Sequence, residues 1–257
     1  MIAFAQQSPW RRDLPWSWRK FAMRARLRTA VFRQKRMSFR REPYMGTAES
    51  LTAGDLRSDQ EWWQIYEDSF PAAEREAPDV IVKSVVQGVG MAFRIRREGV
   101  TIGLATTHLL KDPAAVFLVY LAVDSTQRNQ GTGGELLQGA WEAGAERLSQ
   151  QGLEPVGLIW EVDRPEPTAG DAGARLRRIA FFERHGGKVL DRPYMQPPLD
   201  GTTLVPMRLM LRPAGDDGIP ERETIEGLVR AMYFEKYGAI NEIDGSTLED
   251  LLTRRSA

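Results

Sequence analysis

The chain has 257 residues, 42% apolar and 27% charged, with 35 basic and 35 acidic side chains, a balance ordinary for a globular protein. No stretch approaches the roughly 18 consecutive apolar residues of a membrane span. The absence of cysteine excludes disulfides, cysteine nucleophiles and thiolate metal sites, and fits a reducing, cytoplasmic setting. Only His108 and His185 are histidines, without metal-ligand spacing, so no transition-metal centre is expected.

The zero net charge is unevenly spread. Residues 1–42 hold twelve Lys and Arg against Asp13 and Glu42, leaving 23 basic and 33 acidic residues in 43–257, a net of −10. In the leader the basic residues alternate with Trp10, Trp16, Trp18, Phe21 and Phe32. Three readings stay open: an arm for nucleic acid or an anionic membrane, an Arg-rich transit peptide, or an extension without a folded role, upstream of a start at Met37 or Met45. It lacks the apolar core of a secretory signal. We expect 1–42 to be a mobile extension, with at most a weak helix over 17–34. Nucleic-acid binding is expected nowhere else.

A short strand is predicted within 44–52. Asp59 reads as a helix cap ahead of Trp62, Trp63, Tyr66 and Phe70, and Pro71 ends that helix. A second helix falls within 73–87, starting near 77 because Pro78 suits a first turn, with Val82, Val85 and Val86 sharing a face. Residues 91–97 and 100–110 read as strands of a hairpin turning at Glu98-Gly99. The apolar run 116–123 reads as a buried strand.

Next comes Gln127-Arg128-Asn129-Gln130-Gly131-Thr132-Gly133-Gly134, and from Glu135 the spacing of Leu136, Leu137, Trp141 and Ala145 is helical. A strand, a glycine-rich turn and a helix N-terminus together make an anion cradle. The nucleotide P-loop is excluded because no Lys follows the glycines, and GxGxxG fails at Leu136. Beyond it, 156–162 reads as a strand. Residues 171–185 read as a helix with Leu176, Ile179, Ala180 and Phe182 as its apolar stripe, stopped by Gly186-Gly187. Residues 188–192 and 203–212 read as final strands. A helix over 221–235 and a short one over 246–254 form a C-terminal extension. Three regions result: the leader 1–42, a body 43–214 and an extension 215–257.

Three segments resemble the GNAT superfamily of acyl-CoA N-acyltransferases. VYLAVDSTQRNQGTGGELL is similar to its central strand and R/Q-x-x-G-x-G/A pyrophosphate loop, IWEV at 159–162 to its fifth strand, and AFFERHGG at 180–187 to its F-Y-E-K-x-G-F helix end. The resemblance implies an α+β fold, a mixed, mostly antiparallel sheet flanked by helices. It implies an N-acetyltransferase using acetyl-CoA as cosubstrate, with an amine-bearing small molecule or protein as acceptor, in a monomer or homodimer. An acyl-CoA-binding module without catalysis is the alternative. Leu121, Ala122 and Val123 would lie along the pantetheine, and Arg128, Asn129, Gln130, Gly131, Thr132, Gly133 and Gly134 would wrap the pyrophosphate. Glu161 matches the family's general base; its alternative is a strand-end glutamate facing water or paired with an arginine such as Arg177. Phe182 stands in the cofactor site where the family places a proton-donating Tyr. Tyr120 and Tyr194 are the candidate replacements, unless the thiolate leaves unassisted.

Overall fold

The computed structural model describes residues 48–164, 172–216 and 218–253. The leader 1–42 and the loop 165–170 lie outside them, and so do the expectations placed there. The described chain runs β1 (Glu49–Leu51), α1 (Ala53–Ser58), α2 (Gln60–Ser69), a 3₁₀ turn (Ala72–Glu74), α3 (Pro78–Val86), β2 (Gly90–Arg97), β3 (Val100–Lys111) and β4 (Ala114–Val123). It continues with α4 (Thr132–Ser149), β5 (Gly157–Asp163), α5 (Ala172–Arg184), β6 (Lys188–Val189), β7 (Tyr194–Gln196), β8 (Val205–Pro213), α6 (Arg222–Ala231), a π-helical turn (Met232–Gly238) and α7 (Gly245–Thr253).

One sheet organises these elements in the order β1-β2-β3-β4-β5-β8-β6, with β7 also on β8. Among the described strands only β4 and β5 run parallel; every other pairing is antiparallel. The β2–β3 hairpin turns through Glu98 and Gly99, both at positive φ (53° and 84°), the geometry that matches strand twist.

Helices cover both faces. On one, α4 and α5 bury Leu136, Leu137, Ala140, Ile179 and Phe182 against Val116, Leu118, Leu158 and Trp160. The alternate residues of the same strands, Ala115, Phe117 and Ile159, meet Leu228, Met232, Tyr233, Tyr237 and Leu248 of the C-terminal elements. Further along that second face, Trp62, Ile65 and Tyr66 of α2 and Ile81 and Val82 of α3 pack on Leu104, Tyr120 and Ala122. The period of two along the strands is thus satisfied on both sides.

Several expectations shift. Among the described residues the strand expected within 44–52 spans Glu49–Leu51, and α1 intervenes before α2, started by a capping box of Thr52 and Asp55. The helix after the glycines begins at Thr132, not Glu135, so Gly133 and Gly134 belong to its first turn. Val86 and Leu176 are 64% and 55% exposed, so neither belongs to the buried stripe assigned to it. The strand at 188–192 is only two residues long, and the unforeseen β7 follows it.

Candidate acyl-CoA site

The sheet opens at one place. Strands β4 and β5 pair only through Val116–Leu158, Phe117–Ile159 and Leu118–Trp160. At the next residue, Val119, β4 bulges: Thr107 pairs with Leu118 but Thr106 with Tyr120. A bulge bends and over-twists its strand. Past it, β4 continues to Val123 held, among the described strands, by β3 alone, and its other backbone edge has no neighbouring strand among them.

That opening leads into a cleft of about 920 Å³. Leu121, Ala122 and Val123 form one wall, Phe181 and Phe182 of α5 another, and Arg128, Asn129, Gly131, Thr132, Gly133 and Gly134 the end. Here the N-terminus of α4 faces the cavity. Gly131 caps it at φ 89°, a conformation costly for residues with Cβ. The N–H groups of Gly134 and Glu135 donate back to the Gly131 carbonyl at 2.9 and 3.1 Å. Those of Gly131, Thr132 and Gly133 meet no acceptor among the described residues, leaving orphan donors where the helix dipole is positive. Arg128, Arg177 and Arg184 line the same cavity. Gly134 has a second reason to be glycine: a Cβ there would come within 2.5 Å of the His185 ring. Of the predicted loop residues, Gln130 alone does not line the cleft; its side chain accepts from Arg97. Asp124 is a turn former, accepting from the Thr126 N–H at 2.8 Å.

Glu161 lies just beyond the last β4–β5 pair, half-buried, on the face of β5 turned towards the C-terminal elements. Its partner is not Arg177. The Tyr237 hydroxyl donates to the carboxylate, 3.0 and 2.8 Å from its two oxygens, and Gln196 Nε2 donates at 3.2 Å. Burial pushes the Glu161 pKa up to about 7, against the opposing pull of Tyr194, Tyr237 and Gln196, and the charge of Glu76 adds to the rise. A carboxyl poised near neutrality suits general-base work.

The two tyrosines considered as proton donors differ. Neither lines the cleft, so what separates them is their bonding; Tyr120 is 4% exposed. Its hydroxyl donates to the Glu74 carbonyl at 2.9 Å and accepts from the Glu76 N–H at 2.9 Å, while its ring meets Tyr66 and Phe70. It ties down the segment after α2, and burial lifts its pKa far above the usual phenol value. Tyr194 is buried beside Glu161, and its hydroxyl has no well-formed hydrogen bond among the described residues. Phe182 stacks on Trp160 at 4.8 Å between ring centres. His108 is a core residue whose pKa falls to about 3, first through burial and then through Lys236.

Tyr237, Gln196, Glu76 and Lys236 were not anticipated. Gln196 sits in a strand too short to read, between Pro193 and Pro197, and Tyr237 in a segment whose spacing reads only as a helix. A lysine inside the apolar run MYFEKYG was the available signal.

The sheet order and the flanking helices are those that the resemblance to the GNAT superfamily implies. No family model matches the sequence, and no curated protein is a significant match. Solved structures do match. A Bacteroides thetaiotaomicron protein described as an acetyltransferase from the GNAT family superposes with TM-score 0.57 and 22% identity, over 75% of this chain and 98% of its own. A ribosomal-protein-alanine N-acetyltransferase from Brucella melitensis gives TM-score 0.45 and 19% identity, over 65% and 98%; at that score it carries no argument. The first likeness establishes the fold, mixed and mostly antiparallel with helices on both faces.

Proposed function

We propose that this protein is an N-acyltransferase that moves an acetyl group from acetyl-CoA to an amine by direct attack in a ternary complex. The observation that carries this is the parting of β4 from β5 at the Val119 bulge, which opens a cleft between a bare strand edge and the N-terminus of α4. The chain fits a pyrophosphate-bearing ligand there. The free N–H groups of Gly131, Thr132 and Gly133, with Arg128 beside them, receive the phosphates. The unpaired edge at Leu121–Val123 offers backbone groups to an extended amide arm, as an added strand would. An N–H of this edge aimed at the thioester oxygen supplies oxyanion stabilisation.

Glu161 accepts the proton of the acceptor ammonium, freeing the lone pair that attacks the thioester carbon. With no cysteine in the chain, direct transfer is the simplest route. Tyr120 is not assigned as proton donor, since both hydrogen-bonding roles of its hydroxyl are taken. Tyr194, beside Glu161, is the remaining candidate; otherwise the thiolate, whose conjugate acid has a pKa near 8.5, departs unassisted. The net charge of −10 outside the leader favours a cationic acceptor only weakly.

The test is thermal unfolding of the full chain with and without acetyl-CoA, beside the double variant Gly131→Glu/Gly133→Glu. Ligand at about 100 times its Kd adds roughly 2.7 kcal/mol, a shift of several degrees for a domain of this size. We expect that shift in the wild type and its loss in the double variant. No shift at millimolar acetyl-CoA would refute the site. Binding without thiol release on any amine would instead favour a non-catalytic acyl-CoA-binding module.

A further inference from the structure

Polar side chains collect around Glu161 in a way the transfer chemistry above does not use, and the π-helical turn supplies two of them. In Met232–Gly238 the backbone widens by about one residue per turn, a distortion that recurs at functional sites. Here it buries Met232, Tyr233, Lys236 and Tyr237 together. Two of these would serve a merely structural core poorly. A Phe at 237 would fill the same space without a hydroxyl to satisfy. Lys236, 1% exposed, carries a cation whose desolvation is costly unless it is fully paired.

Both polar ends meet carboxylates where β4 and β5 part. The Tyr237 hydroxyl spans the two oxygens of Glu161 at 3.0 and 2.8 Å. The Lys236 ammonium pairs with Glu76, and Asn241 completes the triad, donating to Glu76 at 2.7 Å and accepting from Lys236 at 3.0 Å. Glu76 lies close enough to raise the Glu161 pKa, and its pairing with Lys236 offsets part of that repulsion. Tyr194 and Gln196 of β7 also face Glu161, and Tyr233 of the π-turn lies within reach of its charge.

We propose that Tyr237 is a positioning residue for acyl transfer: delivered by the π-turn, its hydroxyl holds the Glu161 carboxylate in one orientation and favours its charged form, while Lys236 of the same turn neutralises the neighbouring Glu76. The C-terminal segment thereby completes the catalytic apparatus. This rests on Glu161 being the base.

The experiment is a carboxyl ¹³C NMR titration of the full chain labelled at glutamate, the Glu161 resonance being identified by its absence from Glu161→Gln. Removing a donor that favours the ionised form moves the Glu161 midpoint upward by about one unit in Tyr237→Phe. Tyr233→Phe is the matched control. It removes a phenol from the same turn, but one that donates to the Met195 carbonyl at 2.8 Å, and it leaves the midpoint in place. A midpoint that stays put or falls in Tyr237→Phe, or that moves equally in Tyr233→Phe, overturns the proposal. Thiol release from acetyl-CoA is measured in parallel with lysine methyl ester, spermidine and a short peptide as amines. Tyr237→Phe is expected to lower kcat about fivefold at pH 7 with recovery above pH 8, at an unchanged KM for acetyl-CoA. Turnover surviving in Glu161→Gln removes the base and, with it, any catalytic role for Tyr237. Turnover lost in Glu161→Gln with no midpoint shift in Tyr237→Phe leaves the base standing and refutes the positioning role alone.

Discussion

A carboxyl held near pKa 7 tells on the stability of the fold. In the folded chain Glu161 titrates at about 7, mainly through burial, whereas unfolded it titrates near 4.3. Between those values the folded state holds a proton that the unfolded state has released. Stability therefore falls as pH rises through that window and levels off above it. Glu161→Gln removes the titration. Its amide can still accept from Tyr237, and the unpartnered Gln196 Oε1 offers an acceptor for the new NH₂. We expect the Tm of Glu161→Gln, measured against wild type by calorimetry, to gain a few degrees between pH 5 and pH 8. A difference in Tm that is flat with pH would show that Glu161 titrates normally. Glu161 itself was legible, since IWEV places a lone carboxylate in an apolar strand. Its environment was not: Gln196 and Tyr237 lie 35 and 76 residues further on, and local pattern carries no information across such distances.

Elements were legible where one local pattern sufficed. The β2–β3 hairpin, the apolar run of β4 and the start of α3 at Pro78 follow from turn chemistry, β-branched content and the proline rule. Helix α1 escaped because six residues are too few for a period to show, although Thr52 and Asp55 announced it. Strand β7 escaped because three residues between prolines read as loop. Asp59 was read as a cap for α2, and it is one, accepting from the Trp62 N–H at 2.9 Å. The fold asks more of it. The other carboxylate oxygen accepts from Arg94 Nη1 at 2.8 Å and Thr101 Oγ1 at 2.9 Å, and Arg94 also reaches Glu49 of β1. One buried carboxylate thus fastens α2 to β2 and β3. Burial pushes its pKa up, but Arg94, the Trp62 N–H and Thr101 together win, and the value lies below the usual range. Its contribution is present above the ordinary carboxylate pKa and is lost as pH falls through the lowered one. Asp59→Ala strips a cap and strands a buried guanidinium, at a cost of about 3–5 kcal/mol. Urea titration at pH 7 should show a lower midpoint with an unchanged slope, and the gap to wild type should shrink in acid. A loss under 1 kcal/mol would mean that Glu49 alone satisfies Arg94.

At the scale of the molecule, chain order and folding unit differ. In sequence, 215–257 reads as an addition after the last strand of the body 43–214. In the fold it closes the core. Leu228, Met232, Tyr233, Tyr237, Leu248 and Leu251 are all buried in one cluster with Phe117, Ile159, Leu209 and Leu211, the face of the sheet opposite α4 and α5. Exposing a large apolar side chain costs about 1.5–3 kcal/mol. Truncation at Ala214 uncovers Phe117, Ile159, Leu209 and Leu211, a loss of about 6–12 kcal/mol against the roughly 5–15 kcal/mol by which a typical domain is stable. Removing the extension would also leave Glu76 buried without Lys236 and Glu161 without its phenol. We therefore expect a chain ending at Ala214 to lose cooperative thermal unfolding and to bind a hydrophobic dye at room temperature. Acetyl-CoA should then give no stabilisation, although every residue lining the cleft proposed to receive it remains. If the truncated chain instead melts cooperatively and acetyl-CoA raises its Tm as in the full chain, residues 215–257 are a dispensable cover. The π-turn would then bear on the chemistry at Glu161 without bearing on the fold.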